Sequence, residues 1–146
     1  MSLHQDSNAD EVSDSIYLYS YDTNGNELMR SNDWDADGIA EDVYQRVFDS
    51  NDNIVRQSLD SNSDGIEDEV FAYTYNDEGQ RLTAVEDSDA DGNPDSSQTY
   101  SYDSSGNYIQ YVSDSDGDGN PDQIRSYTYD NNGNLITQLT NTDAAV

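Results

Sequence analysis

Asp33, Asp60, Asp87 and Asp114 open four near-identical nine-residue loops, each 27 residues after the one before, and Asp6 falls in the same register. The loops follow D-x-D-x-D-G-x-x-D, with Asn8 and Asn62 standing in the third place of the first and third copies. Repetition at this period restricts the chain to an array of small units, each too small to bury a core alone. The repeats run 6–32, 33–59, 60–86, 87–113 and 114–140, with partial repeats at 1–5 and 141–146, so 1–146 reads as a single array.

Between loops the apolar residues alternate, which is the signature of strands. Tyr19, Tyr73, Tyr100 and Tyr127 share one place, and Tyr21, Phe48, Tyr75, Tyr102 and Tyr129 share the place two residues on, hence the same face. A second strand carries Leu28, Val55, Leu82, Ile109 and Ile136 in one column, and Met1 falls in it too. Gly25, Gly79, Gly106 and Gly133 mark the turn between the two strands, with Asp52 in that place in the second copy. Such a turn needs a residue at positive φ, which glycine adopts without steric cost. Strand, tight turn, strand, loop is the order of an antiparallel meander. The expected fold is therefore all-β: tandem hairpins in an elongated ladder with the acidic loops along one edge. A β-solenoid is the alternative.

The acidic loops carry the chemistry. Their first, third, fifth and ninth places make twenty positions, of which eighteen hold Asp or Glu and two hold Asn. With 32 acids in 146 residues, about four would fall there by chance. A charge run kept only for solubility has no reason to hold that phase. A hard dication takes six to eight oxygens, and a tightly curled loop turns alternate side chains inward to supply them. The sharp bend falls on Gly38, Gly65, Gly92 and Gly119, and the seventh residue offers its main-chain carbonyl. The predicted ligand sets are Asp33, Asp35, Asp37, Ile39 and Glu41; Asp60, Asn62, Asp64, Ile66 and Asp68; Asp87, Asp89, Asp91, Asn93 and Asp95; and Asp114, Asp116, Asp118, Asn120 and Asp122. A weaker fifth set is Asp6, Asn8, Asp10 and Asp14, where Glu11 replaces the glycine. Oxygen ligands without His or Cys suit neither zinc nor copper, and magnesium holds its waters too firmly. Ca2+ at about four firm sites is the expectation. The second place, Trp34 in one loop and serine in the others, is expected to face solvent.

The loop resembles the D-x-D-x-D-G-x-x-D calcium loops of EF-hands, dockerins and thrombospondin type 3 repeats. It departs from the EF-hand at place twelve, where Tyr44, Phe71, Gln98 and Arg125 stand instead of the bidentate Glu. The resemblance thus implies calcium binding without the helix opening of a sensor, the missing ligand coming from water, Asp42, Glu69 or a neighbouring repeat. The hairpin resembles the tyrosine–aspartate (YD or Rhs) repeats of large bacterial surface and toxin-shell proteins. Tyr21-Asp22 through Gly25-Asn26, Tyr75 through Gly79, Tyr102-Asp103 through Gly106-Asn107 and Tyr129-Asp130 through Gly133-Asn134 carry the match. That resemblance implies a β-hairpin repeat in an extracellular bacterial setting, and no catalytic activity.

Charge narrows the function further. A formal net charge of −27, with five arginines and no lysine, opposes nucleic-acid binding, which depends on cations against phosphate. No apolar run approaches the roughly 18–20 residues of a membrane span. No activated nucleophile or His-based dyad is visible, His4 being the only histidine, so no enzyme is expected. The expected role is structural: a secreted, calcium-stabilised rod, stalk or self-assembling fibre, with self-association end to end or side by side. The alternative is an adhesin-type module that docks a glycan or cell-surface ligand on exposed Tyr and Trp34. The open ends of the array fit either a slice of a longer repeat protein or subunits joined in series.

Overall fold

The structure, a computed structural model, describes residues 1–7 and 12–142. It divides into two compact units, Met1–Phe71 and Ala72–Val146. The first contains β1 (Ser2–Gln5), β2 (Ser15–Tyr21), β3 (Glu27–Asp33), β4 (Asp42–Phe48) and β5 (Ile54–Asp60). β6 (Glu69–Tyr75) leads from it into the second unit. There follow β7 (Arg81–Asp87), β8 (Ser96–Tyr102), β9 (Tyr108–Asp114), β10 (Gln123–Tyr129) and β11 (Leu135–Asn141). No helix among the described residues is long and apolar enough to cross a membrane.

Within each unit, strands consecutive in sequence pair antiparallel: β1 through β5 in the first, β7 through β11 in the second. This is the all-β meander; the solenoid alternative, whose repeats would stack in parallel, is excluded for these pairs. β1 lies where the Met1 column predicts, pairing Ser2 with Leu18 and Gln5 with Ser15. Each hairpin closes the same way. Gly25 N–H donates to Asp22 O and Asp22 N–H to Asn26 O, and the register slips by one residue between Ser20 and Tyr21. That is a glycine bulge closing a short turn, and it adds the local twist a hairpin requires. At Asp52 the chain holds φ +63° without glycine.

The interior is unusual in chemistry. Every buried residue among those described is polar: Ser15, Ser31, Asn32, Asp33, Asp42, Ser58 and Asp114. The apolar columns are only half covered, with Tyr21, Leu28 and Ile136 all exposed. A strand ladder with so little apolar burial draws little from the hydrophobic effect. Tyrosines and arginines make up part of the difference. Tyr108 packs against Tyr127 and Tyr102 at 5.2 and 5.7 Å between ring centroids, and Tyr100 against Tyr111 at 5.6 Å. Arg81 lies 4.9 Å from the Tyr100 ring and Arg30 lies 4.3 Å from that of Tyr44. Ring pairs and cation–π contacts of this kind each contribute about 0.5–1.5 kcal/mol. Burial among these rings, and the neighbouring phenols, push the Tyr108 hydroxyl up to about 12.

Candidate metal centre

The four described loops fold on one set of hydrogen bonds. The sixth-place glycine N–H donates to the first-place carboxylate: Gly38 to Asp33 at 3.0 Å, Gly65 to Asp60 at 2.9 Å, Gly92 to Asp87 at 2.9 Å and Gly119 to Asp114 at 2.8 Å. The seventh-place N–H donates to the fifth-place carboxylate, as Ile39 does to Asp37 and Ile66 to Asp64. The second-place N–H donates to the ninth-place acid, Trp34 to Glu41 at 2.6 Å and Ser61 to Asp68 at 2.7 Å. Asx turns of this kind let short polar side chains fold the backbone around themselves. Two left-handed residues make the curl possible. The glycine is one; the fourth place is the other, with Ala36, Ser63, Ala90 and Gly117 at φ +56°, +54°, +53° and +68°.

Three loops bring carboxylates together. Asp33, Asp35, Asp37 and Glu41 form one cluster, Asp87, Asp89 and Asp95 a second, and Asp114, Asp116 and Asp122 a third, each with one oxygen per residue within 4.8 Å of the others. The fifth-place acids Asp91 and Asp118 stand outside their clusters. Each accepts from the N–H and the side-chain amide of the following asparagine, Asn93 or Asn120. Ile39 has no such amide, and Asp37 joins its cluster. Among the described residues the loop at 60–68, with Asn62 in its third place, assembles no comparable carboxylate cluster. The bonds at Ile39, Ile66, Asn93 and Asn120 engage their N–H groups and not the main-chain carbonyls expected as ligands. In the first loop Asp6 and Asp14 fall among the described residues, whereas Asn8, Asp10 and Glu11 lie outside them, as does Asp143 of the sixth register.

Serine at the second place is exposed, as expected, and its hydroxyl also bonds the ninth-place acid. Ser61 Oγ donates to Asp68 at 2.5 Å, and Ser7, Ser88 and Ser115 do the same to Asp14, Asp95 and Asp122. The hydroxyl, with the serine N–H, holds Asp68, Asp95 and Asp122 below the usual aspartate range. Trp34 brings no hydroxyl and its side chain is 57% exposed, so Glu41 has no such clamp. Asp42, one of the supplementary ligands the resemblance implies, accepts a hydrogen bond from Asn32 Nδ2 at 2.5 Å. Sequence reasoning also gave no role to the aspartate of the YD pair. Asp22 accepts from the N–H groups of Asn24 and Asn26 and from Asn26 Nδ2, and Asp103 and Asp130 repeat the arrangement. The spacing D-x-x-G-N was the available signal.

One loop has a carboxylate oxygen with nothing to bond. Asp33 is 6% exposed, and its Oδ1 is buried with no hydrogen-bond partner. Its counterparts are engaged: Asp114 Oδ1 accepts from Gly117, and Asp87 Oδ1 from Asp91. A buried carboxylate oxygen left unpaired is costly, and the native remedy is a donor, a water or a cation. Among three other carboxylates, a hard cation fits the donor set best.

Gly117 marks a close approach between two loops. A Cβ built there would lie 2.2 Å from Pro94 O and 3.1 Å from Asp95 O, so the 114–122 loop rests directly on the end of the 87–95 loop. The backbone conformation alone does not demand glycine, since alanine holds it at Ala36 and Ala90.

No protein-family model matches the chain, and no curated protein matches it in sequence. Its fold is similar to two solved structures, TcdB2-TccC3 and TcdB2-TccC3 without its hypervariable C-terminal region. The first aligns with a TM-score of 0.67 and 21% identity over 88% of this chain, the second with 0.66 and 22% over 87%. The chain spans only 6% and 5% of the lengths of those structures. At such identity the likeness is one of fold, that of antiparallel β-hairpin repeats.

Proposed function

We propose that this chain is a calcium-stabilised structural repeat protein of the extracellular space, building a rod, stalk or self-assembling fibre. The observation that carries the reading is the cluster of Asp33, Asp35, Asp37 and Glu41, with its buried and unpartnered Asp33 Oδ1. Two further facts support it. The chain carries −27, a self-repulsion that favours the expanded state until cations offset it. And the buried residues are polar, so metal binding supplies stability that apolar packing does not. An ion that binds only the ordered loop adds about 2.7 kcal/mol per site at a hundredfold excess over its dissociation constant. Calcium outside cells fills even weak oxygen sites, whereas cytosolic calcium leaves them empty. A chain built this way would stay loose until export and stiffen on arrival.

The glycan-binding alternative gains less support, since the tyrosines of β8, β9 and β10 pack on one another and on arginine. Circular dichroism and thermal melting in chelator, then in millimolar calcium, test the reading. A cooperative gain of strand signal and a rise in melting temperature are expected. An identical spectrum and melting curve in both buffers would defeat it.

A further inference from the structure

We infer that the loops fill in order, and that the first ion enters the 33–41 loop. The inference rests on the metal reading above and adds a hierarchy to it. Three independent features set this loop apart. It gathers four carboxylates where the loops at 87–95 and 114–122 gather three. Its first aspartate is buried, with Oδ1 lacking any donor, while Asp114, equally a first-place residue, has both oxygens engaged by Gly117 and Gly119. Its ninth-place acid, Glu41, accepts the Trp34 N–H alone, without the serine hydroxyl that ties Asp68, Asp95 and Asp122.

Each feature acts in the same direction. Ligand charge sets the affinity of oxygen sites for calcium, so a fourth carboxylate raises it. Burial of Asp33 strengthens its attraction for a cation by lowering the local dielectric. An oxygen with no donor has no bond to give up when the ion arrives, whereas Asp114 must share or surrender one. The 60–68 loop stands at the other extreme. Asn62 removes a charge, Ser61 holds Asp68, and Glu67 in its eighth place is paired with the Arg56 guanidinium. It fills last.

Trp34, the chain's only tryptophan, makes the order measurable. It occupies the second place of the favoured loop, so an emissive lanthanide bound there is sensitised by tryptophan excitation. The full chain, stripped with chelator, is titrated with Tb3+ while tryptophan-excited Tb3+ emission and total bound Tb3+ are recorded together. Emission should be half complete at a free-ion concentration at least about tenfold below that for half of the total uptake. Asp33→Asn should raise the emission midpoint at least about tenfold. Glu41→Gln should act likewise, and serves if the first variant fails to fold. Glu78→Gln removes the same charge at a hairpin turn and should leave the midpoint in place. Emission that rises with or after total uptake overturns the order, as does an unmoved midpoint in both loop variants. No Tb3+ uptake by any loop sinks the metal reading itself, and the hierarchy with it.

Discussion

The loops at 33–41 and 60–68 lie in the same compact unit and are folded by matching hydrogen bonds. Both bend at a glycine, and both carry a left-handed residue two places earlier, Ala36 or Ser63. One assembles four carboxylates around a buried orphan oxygen, and the other assembles no such cluster. The same Asx turns hold the curl in both loops. What the ion needs is decided by a few side chains placed on that curl. Asn62 for Asp35, Ser61 for Trp34 and Glu67 for Ala40 convert a cluster that attracts a cation into a loop whose Asp60 and Asp68 carboxylates accept from its own donors.

Asn62→Asp is the largest test of that contrast. It restores the third-place charge, and native mass spectrometry in limiting calcium should show one more ion bound per chain, with at least about a tenfold gain in affinity at that loop. An unchanged ion count would mean that the Arg56–Glu67 pair, not Asn62, governs the difference.

The fourth place sharpens the comparison next. Gly117→Ala should destabilise the second unit by about 1–3 kcal/mol, as overpacking does, because the new Cβ meets Pro94 O at 2.2 Å. Ala36→Gly, at the matching place of the 33–41 loop, should instead stabilise slightly, by about 0.5 kcal/mol, the relief of left-handed strain outweighing the added entropy of the unfolded chain. Urea denaturation of both variants checks the opposite signs. Equal effects would show that backbone conformation, not loop contact, selects glycine at 117.

Acid has the smallest effect per group. Hydrogen bonds from Asn26, Asn53 and Asn107 hold Asp22, Asp49 and Asp103 below the ordinary aspartate value, and Ser61 does the same for Asp68. A carboxyl depressed in the folded state stabilises it at neutral pH, and that contribution disappears as pH falls through the lowered value. The stability these groups contribute to the folded, calcium-loaded chain should therefore hold from pH 7 to about 5 and decline below about 4, as acid titration checks. A decline that begins near neutrality would point to groups other than these turns.

Much of this was legible in the sequence. Alternating Tyr, Leu, Ile and Val gave the strands, the glycines gave the hairpins, and the phase of Asp33, Asp60, Asp87 and Asp114 gave the loops. What was not legible has physical causes. Ala36 and Ala90 carry no signal for a left-handed backbone, because alanine has no preference for it. The bonds from the exposed serines to Asp68, Asp95 and Asp122 were hidden because a hydroxyl suits solvent and carboxylate equally. The polar interior was hidden too. Alternation says which residues share a face, but not that Leu28 and Val47 stay exposed while Ser58 is covered to 2%.

The most direct measurement is anomalous scattering from crystals grown in millimolar calcium. The account predicts an ion enclosed by Asp33, Asp35, Asp37 and Glu41, with Asp33 Oδ1 about 2.3–2.6 Å from it. Carboxylates turned apart, with no anomalous peak and Asp33 Oδ1 satisfied by a protein donor, would contradict it.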